Sequence, residues 1–125
     1  MESMAKNTSS NPYLKGMYNR LRLRYSHIWG ELPPHTVVRW GNAREMEYKG
    51  KRKIKAMWGY AIWDREMPLI VINGELRRQK LFKTTEATML HEMTHLSFKG
   101  RDNHGPRFKE KMRELAAEGA YDEIF

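Results

Sequence analysis

Across residues 13–29 the apolar side chains Leu14, Met17, Leu21, Tyr25 and Ile28 recur close to every 3.6 positions, while Lys15, Arg20, Arg22 and Arg24 take the other faces. That period predicts a first amphipathic helix. Gly30 and the Pro33-Pro34 pair end it, because proline cannot continue a helix and restrains the residue before it. Three stretches rich in β-branched and aromatic residues follow, 36–40, 54–63 and 69–72, and they predict three short strands. Between the first two, residues 48–55 combine a glycine with dense positive charge, as an exposed hairpin tip does. A second helix is predicted over 85–99. Thr84 or Thr85 can cap it, Glu86 complements its dipole, and Met89, Met93 and Leu96 form an apolar back opposite His91 and His95. Gly100 ends that helix, and 101–103 reads as a turn. Pro106 suits the first position of a third helix, whose stripe is Phe108, Met112 and Leu115 and which ends near Gly119. The pattern is that of an α+β domain with an N-terminal helix, a small three-stranded sheet and two further helices.

Composition narrows the class. The 125 residues are 40% apolar and 30% charged, the balance of one compact domain over 13–125 preceded by a polar lead-in, 1–12, expected to be unstructured. The lead-in lacks the apolar stretch of a secretory signal, and the longest apolar run, 68–72, is far below the roughly 18 residues of a membrane helix. A cytoplasmic or nucleoid-associated monomer with no membrane partner is the expectation. With no cysteine, a disulfide framework, a thiolate zinc site and a thiol nucleophile are excluded, so any metal must bind through His and carboxylate. The net charge of +8 points to a polyanionic partner. Its densest clusters hold Lys49, Lys51, Arg52, Lys53 and Lys55 in the hairpin and Arg77 and Arg78 after the third strand, and these are the candidate nucleic-acid contacts. Trp40, Trp58, Tyr60 and Trp63 are near the hairpin cluster in sequence and offer stacking platforms for unpaired bases, although Trp58 and Trp63 are more readily read as core.

The chemistry is concentrated in His91-Glu92-Met93-Thr94-His95, an H-E-x-x-H pentapeptide inside a segment already read as helical. Histidines four apart project from one face, so both imidazoles can reach one Zn²⁺ while the glutamate serves as general base to the metal-bound water. A catalytic zinc commonly takes three protein ligands. Six residues beyond His95 stands Arg101, which excludes the metzincin spacing. The candidates for the third ligand are His104, nine residues after His95, and Glu110, Glu114 or Glu118 on the third helix. His104 is preferred, since the glutamates alternate with Lys109, Lys111 and Arg113 as a solvated face does. Asp102 is a candidate to orient a ligand histidine, or else shapes the turn.

The run Met89 to His95, followed by Gly100, Asp102, His104-Gly105 and Phe108, resembles the SprT-like zinc metalloprotease family. So does Ile70-Val71-Ile72-Asn73-Gly74-Glu75-Leu76, which is similar to the family's strand and Asn-x-x-Leu element ahead of the catalytic helix. The likeness extends over 13–115 and is most specific over 70–108. It implies a zincin-like core, one zinc ion held by His91, His95 and His104, and Glu92 as catalytic base. The implied substrate is a protein or peptide, and the implied nucleic acid is DNA, single-stranded or protein-crosslinked. Relatives append a four-cysteine zinc ribbon or ubiquitin- and DNA-binding tails, and this sequence resembles the bare protease core. The third stretch, 69–72, is expected either to be an edge that pairs with extended substrate or to be a central strand. Two other readings compete: a non-catalytic, metal-containing nucleic-acid-binding module, and a three-histidine endoribonuclease, opposed by the long spacing to His104 and by Glu92.

Overall fold

The computed structural model describes residues 9–49, 54–101, 104–122 and 124, as five helices and five strands. In chain order these are α1 (Pro12–Arg24), α2 (Ser26–Trp29), β1 (Val37–Gly41), β2 (Glu47–Lys49), β3 (Ile54–Ala56), β4 (Gly59–Ile62), β5 (Leu69–Asn73), α3 (Gly74–Arg78), α4 (Phe82–Ser97) and α5 (Pro106–Ala117). The expected α+β class holds. Among the described residues no helix is long and apolar enough to cross a membrane.

The first predicted helix is two, because Tyr25 departs from helical geometry and α2 restarts one residue later. Asn11 caps α1 by accepting from the Leu14 amide, with Pro12 at the first turn where its missing N–H costs nothing. Residues expected to belong to an unstructured lead-in therefore take part in the fold: Asn11 N–H donates to Val38 C=O at 2.8 Å, and Val38 N–H donates to the Ser10 hydroxyl at 3.0 Å. This segment covers the outer edge of β1. An uncovered strand edge is a template for further pairing, and here Ser10 and Asn11 take up the outward N–H and C=O of Val38.

The main sheet has the order β1-β5-β4, with β1 parallel and β4 antiparallel to β5. The alternative of β5 as an edge strand is thereby corrected. It is central, and its uninterrupted run of Ile70, Val71 and Ile72 is buried because both faces of the strand are covered. The single predicted stretch 54–63 breaks at Met57 and Trp58 into β3, which pairs with β2 in a separate two-stranded ribbon, and β4, which joins the main sheet.

On one face Val38, Ile70 and Ile72 meet Leu14, Tyr18 and Leu21 of α1 and Met89, Leu90 and Met93 of α4 in one core. The other face is covered by the excursion between β1 and β4, where Met46 is fully buried and a Cβ on Gly41 would stand 2.6 Å from Val71. Two helices anchor α4 from behind. Thr94 accepts from the Trp29 indole at 3.0 Å and donates to Leu90 C=O at 2.8 Å, while Leu115 of α5 is fully buried in the same core. α4 begins at Phe82, three residues before its predicted start, with Leu81 rather than a threonine at the cap position. Thr85 instead donates back to Leu81 C=O. The short helix α3, capped by Asn73 onto the Glu75 amide, has too few residues to leave a periodic signal.

Candidate metal centre

His91 and His95 stand one turn apart on the same face of α4, and both are partly buried. His104 comes from the connection to α5, two residues before Pro106. Its backbone is left-handed, with φ of 60°, a conformation L side chains seldom adopt and one that functional sites tend to hold. Gly100, at φ 74°, supplies the turn that reverses the chain after α4. The three Nε2 atoms converge: His91 to His95 is 3.2 Å, His91 to His104 is 3.1 Å, and His95 to His104 is 2.9 Å. Tetrahedral zinc with Zn–N bonds of about 2.0–2.1 Å places its ligand nitrogens about 3.3 Å apart, so this donor set fits such an ion closely. Glu110, Glu114 and Glu118 are exposed and outside the cluster, and Glu118 is engaged instead by His27.

Phe108, in the first turn of α5, underlies all three imidazoles, with ring centroids at 4.9 Å from His91, 4.5 Å from His95 and 4.9 Å from His104. It is buried, and it limits the orientations open to each ring. The sequence marks Phe108 only as part of an apolar stripe and of the His-Gly-x-x-Phe likeness.

Glu92 is 5% exposed, unusual for a carboxylate, and lies between α4 and β4. Gly59 permits that approach. A Cβ there would fall 2.7 Å from Thr88 Cγ2, 3.2 Å from Glu92 Cγ and 3.2 Å from Val71 C=O. We expect Gly59→Ala to lower the unfolding free energy by about 1–3 kcal/mol, as overpacking does. Urea denaturation measures it, and an unchanged midpoint would mean that α4 and β4 do not meet this closely.

An open cleft of about 470 Å³ runs past this group, walled by Tyr48, Met57, Tyr60, Trp63, Leu96 and Gly100. On the other side of Gly59 and Glu92 a second hollow of about 360 Å³ is bounded by Trp58, Ala87 and Thr88. Trp58, expected in the core, is 52% exposed at this rim, whereas Trp63 both packs on the core and faces the cleft. Tyr60 is turned toward Arg39, and burial raises its hydroxyl pKa, partly offset by the Arg39 charge. β4 is the strand beside the cleft, and among the described residues it pairs only with β5. Asn73 N–H donates to Trp58 C=O at 2.8 Å, which sets the phase of the ladder. Tyr60 and Ile62 then exchange bonds with β5, and the N–H and C=O groups of Gly59 and Ala61 point to the open edge.

The basic residues are spread differently from the histidines. Lys55, Arg77 and Arg78 are exposed, Arg78 donates to Glu75 at 2.9 Å, and Arg77 lies over the Trp40 ring at 6.0 Å. Lys51, Arg52, Lys53 and Asp102 lie outside the described residues, as does the side chain of Lys49. Among known proteins, the sequence model of the SprT-like family matches residues 33–123. No curated protein and no solved structure shows a significant match to the chain.

Proposed function

The chain belongs to the SprT-like family, a metalloprotease-type family, and from that premise we propose that it is a zinc-dependent endopeptidase acting on nucleic-acid-associated proteins. The observation that carries this reading is the convergence of three imidazole Nε2 atoms within 3.2 Å of one another beside a buried glutamate at an open cleft. His91, His95 and His104 would hold one Zn²⁺. That ion, when bound, supplies Lewis acidity toward the scissile carbonyl and makes water a competent nucleophile near neutral pH. Glu92 takes the proton from the attacking water and delivers it to the departing amine nitrogen, so no covalent acyl-enzyme forms. The backbone of Gly59 and Ala61 receives an extended stretch of substrate as an added strand, which holds the scissile bond across the cleft whatever its side chains. The structural gain is specificity for unfolded or flexible chain, since only an extended segment can pair with a strand edge.

The net charge of +8 supports the choice of substrate proteins bound to nucleic acid, because such a field concentrates the protein near phosphate. Hydrolysis of an unfolded protein should stop on treatment with a chelator and return when Zn²⁺ is restored. Cleavage that persists in the chelated protein, with its zinc shown to be gone by mass spectrometry, would overturn the proposal.

A further inference from the structure

We infer that the face built from Tyr13, Trp40 and Phe82 binds single-stranded nucleic acid. The inference deepens the choice of partner made above and does not require that the protein hydrolyse anything.

Three elements bring the aromatic rings together. Tyr13 from the first turn of α1 stacks on Trp40 of β1 with centroids 6.3 Å apart and planes 9° from parallel. Phe82, which opens α4, meets Tyr13 edge-on at 6.0 Å. Arg77 of α3 extends the row, its guanidinium 6.0 Å from the Trp40 centroid. A groove of about 420 Å³ lies beside Tyr13 and Phe82, bordered by Arg20, Lys83 and Glu86, the last held by Arg20, and floored by Met17 and Ile124.

Tyr13 is 45% exposed and Phe82 49%, so two adjoining aromatic rings present surface that a small domain would gain by burying. Charge indicates what covers them. Arg20 is tied to Glu86 at 2.9 Å, but neither Arg77 nor Lys83 has a carboxylate within ion-pair distance among the described residues. Lys80 likewise has none, two positions before Phe82. Flat aromatic faces bordered by unpaired cations suit bases that stack while the backbone phosphates meet Arg and Lys, and such stacking tolerates any sequence. A duplex keeps its base faces covered, so the preference is for single strands. The sequence directs attention to the hairpin lysines, whereas Tyr13, Phe82 and Lys83 lie far from them in the chain and come together only through the α1–β1–α4 packing.

The test is fluorescence anisotropy of the zinc-loaded protein with a short fluorescein-labelled oligodeoxythymidine, over a range of salt. The double variant Tyr13→Ala, Phe82→Ala should bind at least about tenfold more weakly. Lys83→Glu, an exposed change that disturbs no packing, should also weaken binding and make it less salt-dependent. Lys55→Glu on the ribbon should change affinity far less than either. The inference is overturned by unaltered affinity in the first two variants, or by a loss confined to Lys55→Glu. Equal affinity for duplex and single strand overturns it as well, as does an absence of oligonucleotide binding at low salt, which would leave this face to a protein partner. Binding that persists in a protein unable to cleave any substrate would refute the peptidase reading alone.

Discussion

Glu92→Gln should leave the fold and the metal content of the protein unchanged and lower the rate of peptide hydrolysis by at least about 10²–10⁴-fold, the usual contribution of a positioned general base. Glutamine preserves the shape of the side chain in a place where shape matters, since Glu92 is 5% exposed and lies against Gly59 of β4. It cannot accept the proton of the attacking water. Because the three histidines form a complete nitrogen set without Glu92, zinc bound per chain should stay near one equivalent. Metal analysis and thermal unfolding of both proteins, run beside a cleavage assay, separate the possible results. Cleavage at the wild-type rate would remove Glu92 from the mechanism. Absence of cleavage in both proteins, with zinc and oligonucleotide bound in both, would favour the non-catalytic nucleic-acid-binding module.

The site was more legible in the sequence than the sheet that supports it. Helical periodicity and the i, i+4 spacing fix His91 and His95 on one face without any tertiary information, because both are properties of a single helix. His104 could be preferred over the glutamates for the same kind of local reason: Glu110 and Glu114 sit among lysine and arginine on a helix face that proves to be exposed. The strands were harder. Residues 54–63 read as one β-prone run, since nothing in a period of two marks the point at which a chain leaves one sheet and enters another. The open edge belongs to β4 because the order β1-β5-β4 leaves the apolar β5 in the middle, where its composition reflects cover on both faces. Trp58 illustrates the remaining gap. Its bulk suggests core, yet the break at Met57 and Trp58 turns it outward to the rim of the second hollow. The family match, 33–123, extends beyond the specific motif of 70–108 and takes in β1, at the far edge of the sheet, and all of α5, whose Phe108 underlies the histidines.

Removing His104 tests the metal and the loop together. His104→Ala takes away one of three converging nitrogens while leaving the buried core untouched, since the side chain is exposed. Loss of a direct ligand should weaken zinc binding by more than the 10–100-fold typical of changes one layer farther out. Glu110→Ala, on the exposed face of α5, should retain zinc fully. Zinc at about 100 times its dissociation constant raises the unfolding free energy by about 2.7 kcal/mol, so the wild type should show a clear zinc-dependent gain in thermal midpoint that His104→Ala lacks. The backbone adds a second, independent reading. His104 sits at φ 60°, where a side chain with a Cβ pays roughly 1–2 kcal/mol that glycine does not. In the metal-free state His104→Gly should therefore be more stable than His104→Ala by about 1 kcal/mol. Equal stabilities for the two would mean that the turn relaxes out of the left-handed region once the metal is gone, and that the ion, not the chain, holds the third ligand in place.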